Sequence, residues 1–166
     1  LSDIDARNLI CERFVAESER FGSFDVVAGV ATGGIAHGML VADRLGLPFI
    51  YVRTSAKGHG LKNYVEGKIN AGQRVMVIED LISTGGSSFH AIESLREAGA
   101  VISGMMAIFT YGFNDAVELF ANHEIKVSAL TDYDTLIDVA KEMHIIEEDQ
   151  IAGLMEWKKS PREWRI

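Results

Sequence analysis

Residues 75–88 read Val75-Met76-Val77-Ile78-Glu79-Asp80-Leu81-Ile82-Ser83-Thr84-Gly85-Gly86-Ser87-Ser88, and this stretch decides the fold. Val75, Val77 and Ile78 are β-branched, and with Met76 they form an unbroken apolar run, the pattern of a strand buried on both faces. The strand is expected over Arg74 to Ile78, ending in two adjacent acids, Glu79 and Asp80. A turn of Ser, Thr and Gly then opens a helix from about Gly86 to Ala98, closed by Gly99, with Phe89, Ile92 and Leu95 on one face. Strand, glycine-rich turn and helix in succession build parallel α/β sheets, whose ligands lie beyond the carboxyl ends of the strands.

The flanking sequence repeats the pattern. Helical spacing of Ile4, Leu9, Ile10, Phe14 and Val15 predicts a helix over residues 3–21, stopped by Gly22. Phe24 to Ala31 reads as a Val-rich strand, Gly33 and Gly34 as a turn, and Ile35 to Leu45 as a helix closed by Gly46 and Pro48. Strands are expected at Phe49 to Arg53, Val101 to Tyr111 and Lys126 to Leu130, with helices before and after the last, and a short one at Tyr64 to Ile69. The reading is an α/β fold: a mainly parallel central sheet flanked by helices, with residues 1–166 as one domain.

Composition narrows the function. With 16 Lys and Arg against 24 Asp and Glu, a net charge of −8 speaks against nucleic-acid binding. No apolar run reaches the ~18 residues of a membrane span. A lone cysteine, Cys11, excludes an internal disulfide framework and agrees with a reducing, cytoplasmic setting. The five histidines are scattered, without zinc spacing. The sequence opens on Leu1 in what reads as a helix, so it is expected to start partway into the natural fold.

The turn after the central strand can aim several backbone N–H groups at one point. Gly85 and Gly86 permit close approach, Ser83, Thr84 and Ser87 add hydroxyls, and the following helix adds its positive end; together they suit a phosphate. Glu79 and Asp80 would repel that phosphate but accept hydrogen bonds from a sugar diol. A ligand with both features is a ribose 5-phosphate. The acids would also stabilise positive charge on a ribose ring whose C1 bond is breaking. The string is neither a Walker A loop nor a dinucleotide fingerprint. A second turn, Ala31-Thr32-Gly33-Gly34, can offer amides to another anion. Between the two lies a run of cations in an acidic chain: Arg53, Lys57, His59 and Lys62, with Gly58 and Gly60 among them. Such charge suits a diphosphate, with Arg53 placed rigidly at a strand end and Lys57 and His59 able to close over the ligand.

The string from Val75 to Ser88 resembles the phosphoribosyl pyrophosphate (PRPP) signature of type I phosphoribosyltransferases, and Tyr51-Val52-Arg53-Thr54-Ser55-Ala56-Lys57-Gly58-His59-Gly60 resembles the loop of the orotate-using members. The likeness extends from about Ala6 to the C-terminus. It includes Ala107 to Gly112, Leu130 to Leu136 and Trp157.

The resemblance implies the type I phosphoribosyltransferase fold, with the family's N-terminal hood elements missing from this sequence. It implies transfer from PRPP to orotate, giving orotidine 5′-monophosphate and pyrophosphate, with Mg²⁺ entering on PRPP rather than at a protein metal site. PRPP contacts fall on Arg53, Lys57, His59, Glu79, Asp80, Leu81, Ile82, Ser83, Thr84, Gly85, Gly86 and Ser87, and the pyrophosphate loop on Ala31, Thr32, Gly33 and Gly34. Lys57, His59 and Asp80 are the catalytic candidates. Ser83 and Tyr111 are the orotate candidates, Tyr111 standing where some members carry an arginine, and Thr54 and Gly33 where some carry lysines. A homodimer sharing loop 54–63 between sites is implied, with neither nucleic acid nor membrane as partner. The competing readings are a type I transferase for another base and a non-catalytic, PRPP-sensing regulator.

Overall fold

The computed structural model describes residues 1–53 and 64–164. Six strands form one sheet in the order β3-β2-β1-β4-β5-β6. The centre is β1 (Val26–Val30) beside β4 (Arg74–Ile82). β2 (Phe49–Val52) lies on one side of this pair, and β5 (Val101–Thr110) and β6 (Val127–Asp132) on the other. All pairings are parallel except that of β2 with the two-residue edge strand β3 (Val65–Glu66).

Side-chain alternation along the central strands builds two cores. Val27, Met76, Ile78 and Met106 point to the face covered by α1 (Ile4–Ser18) and α2 (Gly33–Leu45), where they pack with Phe14, Val41 and Ala42. Val26, Ala28, Val75 and Val77 point the other way, to Ile92 and Leu95 of α3 (Gly86–Glu97) and Phe120 of α4 (Asn114–Asn122). Every one of these strand residues is at most 1% exposed, which is why the sequence shows an apolar run rather than alternation. The two remaining helices, α5 (Tyr133–Glu142) and α6 (Glu148–Lys159), follow β6.

The strand-helix-strand connections diverge from the centre. From β1 the chain passes through α2 to β2 on one side; from β4 it passes through α3 to β5 on the other. The carboxyl ends of β1 and β4 therefore flank a topological switch point, where helix-starting turns splay apart and leave a crevice.

The elements largely follow the sequence reading, and the instructive differences lie at strand ends. The central strand does not stop at Ile78 but continues to Ile82, because its ladder with β5 persists through Leu81↔Phe109 and Ile82↔Thr110. Glu79 and Asp80 are thus strand residues rather than the start of a turn. The last strand runs Val127–Asp132, later than expected, and its end doubles as a helix cap: the Asp132 carboxylate accepts the Thr135 N–H at 2.8 Å.

Candidate active site

Two turns meet at the switch point, and glycines let them meet. A Cβ on Gly29 would lie 2.6 Å from the Gly34 carbonyl oxygen, and one on Gly34 would collide with the Ile78 carbonyl oxygen. The turn 31–34 is therefore pressed directly onto β1 and β4. A Cβ on Gly33 would overlap the Asp80 carboxyl group. The Ala31–Thr32 peptide bond is cis.

Both turns open helices whose first N–H groups lack a side-chain cap. Thr32 precedes α2 and Gly85 precedes α3, and neither start has a capping hydrogen bond from a side chain. By contrast, α1, α5 and α6 are capped by Asp3, Asp132 and Glu147; α4, after Phe113, is uncapped as well. Gly85 adopts the left-handed conformation, φ 79°, against the Phe120 ring, where any Cβ would stand 3.1 Å from ring carbons. This bend exposes Gly86 and Ser87. The N–H groups of a first helical turn have no partner within the helix, and the helix dipole makes such a point attractive to an anion.

The two adjacent acids do different things. Successive strand residues face opposite ways, so Glu79 turns beneath α3 while Asp80 faces Gly33. Glu79 is 5% exposed. Its Oε2 accepts the Ser88 hydroxyl at 2.9 Å, and its Oε1 accepts the Asp80 N–H at 3.1 Å. Burial, reinforced by the neighbouring Asp80 side chain, pushes its carboxyl up to about 8, although the Ser88 hydroxyl pulls the other way. Near neutral pH Glu79 holds a proton. Asp80 is exposed, and its Oδ1 accepts the Leu81 N–H at 2.9 Å.

Known proteins carry the same architecture. Residues 1–111 match the phosphoribosyl transferase domain family. An orotate phosphoribosyltransferase of Bacteroides thetaiotaomicron is 51% identical over 146 residues, covering 88% of this chain and 69% of that protein. The orotate phosphoribosyltransferase of Cytophaga hutchinsonii is 46% identical over 99% of this chain and 79% of its own length. The crystal structure of the Aeropyrum pernix orotate phosphoribosyltransferase superposes with a TM-score of 0.76 at 29% identity, covering 89% of this chain and 81% of that one. The chain belongs to the orotate phosphoribosyltransferase family.

The remaining candidate residues of this orotate phosphoribosyltransferase family member fall into three groups. Arg53 follows β2, with its N–H donated to the Tyr64 carbonyl at 2.8 Å and its guanidinium 3.4 Å from Glu66 Oε1, so it is held at the strand end. Lys57 and His59 lie outside the described residues, as does the whole of loop 54–63. Leu81 is 41% exposed, whereas the Ile82 side chain is 2% exposed in the core, which leaves only its backbone to face a ligand. Ser83 and Thr84, half-buried, continue from Ile82 into the turn.

Tyr111 is half-buried and packs in an aromatic cluster. Its ring stacks on Phe113 at 5.1 Å and 10°, meets Phe109 and Trp157 edge-on at 5.2 and 5.7 Å, and lies 5.9 Å from Tyr133. Its N–H donates to the Ile82 carbonyl at 3.0 Å, tying the cluster to the end of β4.

Two residues next to the site escaped the sequence reading. Ser88 was legible only as part of the turn, because the strand extension that aims Glu79 at it was not foreseen. Lys158, on the last turn of α6, lines a cavity with Thr84; more than 70 residues separate the two in sequence, and no local pattern joins them.

Proposed function

We propose that the chain transfers the phosphoribosyl group of PRPP to orotate, breaking the bond from ribose C1 to the pyrophosphate oxygen and forming one from C1 to a ring nitrogen of orotate. The single observation that carries this is the pair of uncapped helix starts at the switch point, with the Asp80 carboxyl against Gly33 of the first. One turn suits the 5-phosphate and the other the pyrophosphate. The family membership and the names of the relatives support orotate as the acceptor.

In this reading the amides of Thr84 to Ser87 hold the 5-phosphate and those of Ala31 to Gly34 the pyrophosphate. Asp80 stands toward the pyrophosphate turn and takes the ribose hydroxyls, where its negative charge also favours the oxocarbenium-like ring as C1 departs from the diphosphate. Glu79, neutral when protonated, supports the Asp80 backbone through its Oε1 without adding a second charge beside the phosphates. Arg53 and the sequence-assigned Lys57 and His59 balance the diphosphate.

Asp80 is also an exposed oxygen donor beside the pyrophosphate turn, which fits a Mg²⁺ ion that binds through one or two carboxylates and substrate phosphates. Mg²⁺ bound with PRPP neutralises the leaving diphosphate. We further propose a homodimer in which loop 54–63 serves the neighbouring site, and a cytoplasmic setting. Among the described residues no helix is long and apolar enough to cross a membrane.

Turnover with PRPP and orotate, compared with adenine, guanine, hypoxanthine and uracil, tests the function. Orotate-dependent pyrophosphate release is expected; its absence, or preference for a purine, overturns the assignment.

A further inference from the structure

We infer that Lys158 is a specificity-determining residue that binds the carboxylate of the acceptor base. The inference deepens the proposed function and rests on orotate being the acceptor. Orotate is a flat pyrimidine bearing an anionic carboxylate, so its recognition calls for a flat apolar wall and a cation close to the phosphoribosyl site.

Such a place lies beside the second turn. A cavity of about 500 Å³ has Thr84 of that turn on one wall, Gly112 and Phe113 beyond β5 on another, and Lys158 at the end of α6 on a third. The volume suits a small ligand. Lys158 is firmly located: its neighbour Trp157 packs within the aromatic cluster, 5.7 Å from the Phe113 ring and 5.3 Å from the Tyr133 ring. The ammonium lies so near Gly112 that a Cβ there would stand 3.7 Å from Nζ. Gly112 directly follows Tyr111, where the chain carries an aromatic rather than a cationic side chain.

Other cations line the same cavity, and exposure separates them. Arg162 is paired with Asp115 at 3.2 Å, but both side chains are more than 60% exposed, at 75% and 63%, so water screens that charge. The Lys158 side chain is 19% exposed and its field is correspondingly stronger. Its Nζ donates to both Asp134 carboxylate oxygens at 2.8 Å. An ammonium has three N–H donors, so one remains for a ligand, and Asp134, 54% exposed, can also yield to an incoming carboxylate.

The test compares Lys158→Met with Asp134→Asn and wild type, with orotate and with uracil, which has the same ring without the carboxylate. Losing a charge-assisted hydrogen bond is expected to lower kcat/KM for orotate by about ten- to a hundredfold in Lys158→Met, with uracil turnover and the KM for PRPP little changed. Asp134→Asn, which frees the ammonium, is expected to match or exceed wild type with orotate. Lys158→Arg, which keeps the charge, is expected to retain most of the orotate activity, and it stands in if Lys158→Met does not fold.

A purely structural lysine predicts a different pattern: Lys158→Met and Asp134→Asn lose thermal stability together, and orotate, uracil and PRPP suffer alike. That pattern, or unchanged orotate kinetics in Lys158→Met, overturns the inference while leaving the proposed function intact. Wild-type protein without orotate turnover overturns both.

Discussion

Glu79→Gln isolates the consequence of burying an acid beside the proposed reaction centre. Glu79 is 5% exposed, and burial raises its carboxyl from 4.5 to about 8. The sign follows from which state holds the proton. Below pH 4.5 both folded and unfolded chains are protonated at this position and its contribution to stability is complete. As pH rises from there, the unfolded chain releases its proton first, so folding becomes less favourable, and the contribution is lost once pH passes about 8.

At about 1.4 kcal/mol for each tenfold change in proton affinity, the full shift is worth at most ~5 kcal/mol; local relaxation and water entry reduce this to an expected ~2–3 kcal/mol. Glutamine keeps the shape, can accept the Asp80 N–H on its amide oxygen while its NH2 donates to the Ser88 hydroxyl oxygen, and never ionises. Urea unfolding of both proteins at about pH 5, 7 and 9 gives the comparison, with contributions from other groups cancelling in the difference. The variant should be close to wild type near pH 5 and more stable by ~2–3 kcal/mol near pH 9. A difference that stays constant across that range refutes the argument that the buried Glu79 carboxyl is held protonated.

Further predictions concern the glycines, the aromatic cluster and the sequence-assigned loop. Gly33→Ala meets first the flexible Asp80 carboxyl, so it should cost under about 1 kcal/mol in stability yet lower kcat/KM for PRPP about tenfold or more; Gly34→Ala meets the rigid Ile78 backbone and should destabilise by ~1–3 kcal/mol in the same urea assay. Trp157→Ala removes a ring packed on Tyr111, Phe113 and Tyr133 and should cost ~2–4 kcal/mol by thermal or urea unfolding. Lys57→Ala should lower kcat far more than it weakens PRPP binding, as expected of a group acting mainly in the transition state. Mixing Lys57→Ala with Asp80→Ala subunits should restore part of the activity if loops are exchanged between sites, and no recovery would point to self-contained ones.

The sheet, its mostly parallel sense and both glycine-rich turns at helix starts were legible because buried strands and such turns leave local signatures. Gly33 and Gly34, and the run from Glu79 to Ser88, carry the signal for the proposed chemistry within a few residues. The different duties of Glu79 and Asp80 were not legible. They depend on the ladder with β5 carrying the strand to Ile82, and strand length is settled by a partner distant in sequence. Tyr111 posed the same problem: whether its ring faces a ligand or a core depends on Trp157 and Tyr133, which reach it only through the packing of α5 and α6. Lys158 was invisible for that reason too. Its position beside Gly112 follows from where the C-terminal helix docks, a tertiary fact with no periodicity or motif behind it.

The most direct test of the bipartite anion site is a titration of ¹⁵N-labelled protein with PRPP and Mg²⁺, followed by amide chemical shifts. The largest shifts should fall together on residues 31–34 and 83–88, at the open helix starts, and Gly33→Ala should diminish the first set while sparing the second. Shifts centred elsewhere, or confined to the cavity at the end of α6, would contradict the account.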